Sequence, residues 1–407
     1  MASQHDNLEM STGGLLCAAV SDVGMRRSSN QDSMAIALAD GTDQWLSQGH
    51  LLVVADGMGA HAAGELASKL ATDTITHSYH KRPEDSPSES LVEAIREANN
   101  VIYTKGQDSV DFQGMGTTCS SLLLLPKGAL AAHVGDSRVY RLRGNSFDQL
   151  TFDHSLVWEM AAAGHATEEE VPAYVPKNVI TRSLGPHPTV SVDLEGPFPL
   201  QAGDHFLICS DGLTGPLKPE LIGMVSACLA PAEAAQSLVD LANLLGGPDN
   251  ITVIIAEVVD PSQLGNSDNS SIAMPARSIR PRLTKSKGGF FSWLKGVFLN
   301  NDCSHSIPGN DRISLQGKAP YRHHDATPSP ANIETLNEIV RQLEDLESER
   351  DWAFDWQPIH ADRHFAHQAI AQNNYQEAVV SFCSAVRRLM QALRDQSPPP
   401  SDSSIGL

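Results

Sequence analysis

Leu51-Leu52-Val53-Val54-Ala55-Asp56-Gly57 is a run of five apolar residues that ends on a carboxylate and then a glycine. A short apolar run of this kind reads as a buried strand, and a carboxylate at its end is held rigidly at the rim of a core, where a hard cation can be fixed. The same arrangement recurs in Phe206-Leu207-Ile208-Cys209-Ser210-Asp211-Gly212. Gly247-Pro248-Asp249-Asn250 runs straight into Ile251-Thr252-Val253-Ile254-Ile255, and Gly135-Asp136 follows Ala131-Ala132-His133-Val134. One strand-end aspartate is more often a turn or cap residue than a ligand. Four such aspartates, far apart in sequence, point to one metal centre. The donors are all oxygen, which suits Mn2+ or Mg2+ better than zinc. Gly57 permits close backbone approach and can offer its carbonyl as a further ligand. A pair of divalent ions there would bridge a water or hydroxide, lower its pKa and aim it at phosphorus.

Outward from these runs, residues 14–259 alternate short strands with helical stretches. One helix follows Gly64 (Glu65 to Ala71), and a second covers Leu91 to Tyr103, where Leu91, Ile95, Ala98 and Ile102 fall on one face. Strands are expected at Ser120 to Leu125, Ala129 to Val134, Ser137 to Leu142, Asp204 to Cys209 and Ile251 to Val258, with a helix over Pro231 to Leu245. Many strands around two adjacent long helices fit a layered α+β sandwich, and the regular alternation of a doubly wound βαβ fold is missing. The mixed segment from Asp153 to Gly185 reads as a flap over the site. Adjacent Asp153, His154 and Ser155 do not read as a nucleophilic triad, whose members must converge in space.

In order along the chain come Ser21-Asp22-Val23-Gly24-Met25-Arg26-Arg27-Ser28-Ser29-Asn30-Gln31-Asp32, Val54-Ala55-Asp56-Gly57-Met58-Gly59-Ala60-His61, Met115-Gly116-Thr117-Thr118, Gly135-Asp136-Ser137-Arg138, Asp153-His154-Ser155, Ser210-Asp211-Gly212-Leu213 and Asp249-Asn250. This ordered set resembles the metal-dependent (PPM, type 2C) protein serine/threonine phosphatases, the bacterial-type members above all. The resemblance implies an α-β-β-α sandwich of two antiparallel sheets flanked by helices. It makes Asp56 the bridging ligand of two core ions, Gly57 a carbonyl ligand of the first, and Asp211 and Asp249 the remaining ligands of the second. Asp32 would hold metal-bound waters, and Asp136 with Asp211 resembles the site of a third, weaker ion. Arg27 stands where the family places its phosphate-binding arginine, whose planar fork takes two phosphate oxygens.

The chain also departs from the pattern. Gln31 replaces a common glutamate, and Ala60 a frequent glycine. Met58 stands where eukaryotic members carry a histidine proposed as general acid, which leaves His61, or a water on the third ion, as candidate. Asp22 and Thr117-Thr118 read as structural, making local backbone hydrogen bonds, and Asn250 as orienting Asp249 or its loop.

The chain has 407 residues, long enough for more than one domain. A net charge of -20 argues against a nucleic-acid binder, and bound divalent cations would offset part of it. Scattered cysteines without a C-x-x-C pair, and a polar N-terminus, read as a cytoplasmic protein. No run approaches the roughly 18 apolar residues of a membrane span. Residues 260–330, rich in Ser, Pro, Asn and Gly, read as a disordered linker. Within it, Arg277, Arg280, Arg282, Lys285 and Lys287 precede an aromatic stretch ending at Leu299. Residues 285–299 read either as a membrane-surface or partner-binding segment or as a sticky island in a flexible linker. Residues 331–396 read as a helical module with a tetratricopeptide-like hairpin at Asn373-Asn374-Tyr375, which must pack on the preceding helix, on the catalytic domain or on a partner protein.

The expected activity is hydrolysis of phosphoserine and phosphothreonine in proteins, with a serine/threonine kinase as a further partner by resemblance. The rival readings are a catalytically silent phosphoprotein-binding scaffold and a small-molecule phosphohydrolase.

Overall fold

The computed structural model describes residues 5–59, 62–82, 86–163, 179–265, 318–350 and 355–396. His61, the 285–299 stretch and the middle of the flap segment lie outside the described residues. The first elements are β1 (His5–Thr12), β2 (Leu15–Asp22), β3 (Asp32–Ala37), α1 (Thr42–Ser47), β4 (His50–Met58), α2 (Ala63–His80) and α3 (Pro87–Asp108). Then come β5 (Gly116–Thr117), β6 (Cys119–Leu125), β7 (Gly128–Val134), β8 (Arg138–Arg143), β9 (Ser146–Gln149), α4 (Leu156–Ala162), β10 (Asp193–Phe198) and β11 (Asp204–Cys209). The last are α5 (Asp211–Thr214), α6 (Pro219–Cys228), α7 (Pro231–Leu244), β12 (Ile251–Val258), β13 (Arg322–Asp325), α8 (Pro330–Arg350), α9 (Gln357–Ala371) and α10 (Tyr375–Gln396).

Two antiparallel sheets face each other. One runs β1-β2-β12-β11-β8-β9-β13, the other β10-β7-β6-β4-β3, with β5 paired to β4. The side chains of β12 divide between two cores. Ile254, Ala256 and Val258 point between the sheets, with Leu52, Val54, Leu122 and Leu124, whereas Ile251, Val253 and Ile255 point outward to α6 and α7. Both faces are therefore buried, which is why these strands read as continuous apolar runs rather than alternating ones. Helices α2 and α3 cover the other sheet, completing the expected α-β-β-α layers. Helix α3 starts where Ser86 Oγ accepts from the Glu89 amide at 3.3 Å and donates to its carboxylate at 2.8 Å, a reciprocal cap ahead of Pro87. Its Leu91, Ile95, Ala98 and Ile102 are fully buried.

The C-terminal part joins this sandwich. Strand β13, inside the stretch read as linker, pairs with β9 from Arg322↔Gln149 to Asp325↔Ser146 and becomes the edge of the larger sheet. Ile333, Leu336 and Val340 of α8 and Phe382, Val386 and Leu389 of α10 share one core with Leu221 and Ile222 of α6 and Leu238 and Val239 of α7. The helices after residue 330 thus add a layer outside α6 and α7. In the hairpin turn Asn373 takes φ 56°, a left-handed conformation that asparagine tolerates. Among the described residues no helix is long and apolar enough to cross a membrane.

Candidate metal centre

The carboxylates gather where the two sheets end side by side. Asp32 and Asp56 are direct cross-strand partners on β3 and β4. Like charges placed opposite one another destabilise a sheet, so this pair marks a site that expects a cation. Asp136 lies in the β7–β8 crossover between the sheets, Asp211 opens α5 after β11, and Asp249 precedes β12. Ser210 Oγ donates to Asp32 Oδ2 at 2.8 Å, so the end of one sheet holds a carboxylate of the other. Two glycines make the approach possible. A Cβ on Gly57 would lie 2.1 Å from the Gly64 carbonyl oxygen, and one on Gly135, with φ 116°, 2.6 Å from the Thr118 side chain.

Main-chain geometry at Asp56 is set from across the fold. Its amide donates to Thr118 Oγ1 at 2.9 Å, and its carbonyl accepts from Thr117 Oγ1 at 2.8 Å. The two threonines are structural, as expected, although their partner is distant in sequence rather than local. Asn250 orients the loop before β3: its Oδ1 accepts from the Gln31 amide at 2.8 Å, and its Nδ2 donates to the carbonyls of Val23 and Ser29 at 2.8 and 3.0 Å. Gln31 contributes through its main chain, its carbonyl accepting from the Gly57 amide at 3.1 Å and from Ser68 Oγ at 2.6 Å.

Burial dominates the electrostatics. It lifts Asp32 to about 7, helped by the charges of Asp211 and Asp249 against the hydroxyls of Thr252 and Ser210. Burial also brings Asp136 to about 7, with Asp211 and Asp153 adding to it. Asp56 is raised well above the usual carboxylate range by burial and then by Asp32, Asp211, Asp136 and Asp249. Asp211 is raised by burial and by Asp249. The Oδ1 atoms of Asp32, Asp136 and Asp211 are buried without a hydrogen-bond partner among the described residues. Orphaned carboxylate oxygens in an all-oxygen donor set fit a hard divalent ion. The donors are gathered rather than closed: among the described residues no three His, Cys, Asp or Glu side chains converge as a ready ligand cluster. Asp249 is turned instead to Arg27, whose Nη2 donates to its Oδ2 at 2.7 Å.

Arg27 is half exposed at the rim, and the hydrogen bond to Asp249 raises its pKa. Asp153, His154 and Ser155 part company. Asp153 pairs with Arg138, His154 bonds Gly135 and Asp193, and Ser155 caps α4, so no triad forms.

A family model described as protein phosphatase 2C matches residues 25–246. The chain belongs to the protein phosphatase 2C family. The serine/threonine protein phosphatase PstP of Mycobacterium tuberculosis is 36% identical over 246 residues, 60% of this chain and 45% of that protein. Protein phosphatase PhpP of Streptococcus pneumoniae is 35% identical over 245 residues, 59% of this chain and 96% of that protein. The catalytic domain of PstP solved with two manganese ions superimposes with a TM-score of 0.51 at 35% identity, covering 61% of this chain and 99% of the other. The protein phosphatase 2C match ends before β12, β13 and α8–α10. Within this protein phosphatase 2C domain, Ser210 bonds Asp32 although no motif gives it a role, and Thr118 bonds the amide of the distant Asp56 rather than its own neighbours. The available signal for Ser210 is a small hydroxyl residue directly before a motif aspartate.

Proposed function

We propose that the chain is a metal-dependent protein serine/threonine phosphatase that hydrolyses phosphoserine and phosphothreonine by direct attack of water. The observation that carries this reading is the set of orphaned, buried carboxylate oxygens of Asp32, Asp136 and Asp211 beside Asp56, with Arg27 at the rim. In this reading Asp56, Asp211, Asp249 and the Gly57 carbonyl would hold two Mn2+ or Mg2+ ions, Asp32 would hold their waters, and Asp136 with Asp211 would take a third. When bound, the ions supply the charge that lowers the pKa of water and neutralises phosphate. The guanidinium of Arg27 has five donors; it orients the phosphate by exchanging its bond to Asp249 for phosphate oxygens. The manganese reported with the PstP catalytic domain supports the choice of ion. Phosphorylated proteins are then the partners, and a serine/threonine kinase is their source. Free, buried thiols at Cys17, Cys119, Cys209 and Cys383, which burial pushes up to about 12, support a reducing compartment such as the cytoplasm.

Activity on a phosphothreonine peptide and on an aryl phosphate, with and without Mn2+, tests the proposal. Asp56→Ala is expected to reduce turnover by about 100-fold or more. Arg27→Ala is expected to raise KM roughly tenfold while manganese binding persists. Hydrolysis of the aryl phosphate alone would favour a small-molecule phosphohydrolase, and peptide binding without turnover a silent scaffold.

A further inference from the structure

Arg322 lies in β13, beyond the residues the family model matches. Its Cζ stands 3.8 Å from the centroid of the Trp158 ring on α4, and Arg138 stands 5.7 Å from the same ring. Two guanidinium groups sharing one indole repel each other, and the carboxylate of Asp153 attracts both. Arg138 holds Asp153 through Nε, at 3.1 Å from Oδ1 and 2.8 Å from Oδ2, and through Nη2 at 2.6 Å from Oδ2. The next residue, His154, clasps the turn that carries Asp136. Its amide donates to the Gly135 carbonyl at 2.7 Å, and its Nδ1 accepts from the Gly135 amide at 2.9 Å. Because Nδ1 accepts, the ring proton is on Nε2, which donates to Asp193 Oδ2 at 3.0 Å.

The backbone of Arg322 is itself held. Tyr321 donates its hydroxyl to Glu195 Oε1 at 2.5 Å, and its ring meets Phe152 at 5.5 Å. The amide of Lys318 donates to Glu195 Oε2 at 3.1 Å, and β13 pairs with β9. A segment outside the family domain therefore reaches both sheets and places a cation on the residues that support the Gly135–Asp136 turn.

We infer that Arg322 is a positioning residue for Asp136: by covering Trp158 and sharing Asp153 with Arg138, it fixes the 153–154 strip that clasps Gly135, and so sets how tightly the carboxylate cluster holds its weakest divalent ion. This rests on the reading of Asp136 as a ligand. Cation–ring attraction and charge balance carry the effect, so a lysine at 322, which keeps the charge but not the flat stacking on Trp158, retains part of it and an apolar side chain of similar length none.

The test is a calorimetric Mn2+ titration of the full chain after chelator treatment, with thermal melts in chelator, for Arg322→Met, Arg322→Lys and Asp136→Asn. Arg322→Met is expected to weaken the last manganese event roughly fivefold, Arg322→Lys to fall between Arg322→Met and the parent, and Asp136→Asn to remove that event. An unchanged last event in Arg322→Met, with its loss in Asp136→Asn, overturns the inference and leaves the metal site standing. Retention of the event in Asp136→Asn overturns the ligand reading and this inference together. Equal weakening in the methionine and lysine variants, tracking lowered melting temperatures, assigns Arg322 to structure alone and also overturns it.

Discussion

At the scale of single residues, the opposed carboxylates of Asp32 and Asp56 cost the sheet stability, as the proposed metal site requires. Burial and neighbouring charges work against the ionised form of Asp56, so removing its charge relieves the cation-free protein. Asp56→Asn is expected to raise the melting temperature in chelator by about 2 °C, equivalent to ~1 kcal/mol, and to abolish the rise that Mn2+ gives the parent. Differential scanning calorimetry reads both, and a lower melting temperature in chelator would contradict the account. Gly57 admits no side chain, because a Cβ meets main-chain oxygens of Gly64 and Gln31 at 2.1 and 2.5 Å. Gly57→Ala is expected to cost about 2 kcal/mol or more in denaturant titrations and to lose manganese binding. The aspartates and glycines of the proposed site are legible as residue types at strand ends. The hydrogen bonds of Ser210 and Thr118 are not, since a hydroxyl within a motif does not reveal which distant strand it faces.

Among the elements, those with a periodic or continuous apolar signal were read closely. Strands β4, β7, β11 and β12 and helices α3 and α7 lie where expected within a few residues. Strands β1 and β13 carried no such signal, being polar segments that owe their conformation to pairing with β2 and β9. Helix α6 is apolar on most sides because it is covered both by the sheet and by the C-terminal helices, which erases its amphipathic period. That second covering is itself testable. Phe382 of α10 is fully buried, and Phe382→Ala is expected to cost about 3–5 kcal/mol by chemical denaturation. Arg394 of the same helix bonds Asp240 at 2.6 Å and lies 4.0 Å from Asp22, both carboxylates being buried. Arg394→Met strands these charges and is expected to cost about 3 kcal/mol. If both variants unfold at the denaturant concentration of the parent, α10 is not docked as described.

For the whole molecule, two sets of groups pull stability in opposite directions with pH. Burial lowers His50 to about 4 and His133 to about 3 from an unfolded value of 6.5. Depressed values in the folded state mean that their contribution is complete above pH 6.5 and is lost as pH falls toward 4 and 3. The clustered carboxylates act the other way. Asp32 and Asp136, raised to about 7 from 3.8, stabilise the cation-free fold below 3.8 and lose that contribution as pH rises through 7. The melting-temperature gain on adding Mn2+ is therefore expected to be larger at pH 8 than at pH 6, while the loaded protein weakens steeply below pH 6. A gain that shrinks with rising pH would remove the carboxylate cluster as its source. The family, the strands and the aspartates that end them are legible in the residues, because apolar runs and ordered motifs are local properties of the chain. Only the folded chain reveals that β13 extends the sheet, that α10 covers α6 and α7, that Arg322 lies over Trp158 and that Arg394 bonds the buried Asp240. Those contacts depend on long-range pairing and on complementary surfaces, which leave no period and no motif in the residues that make them.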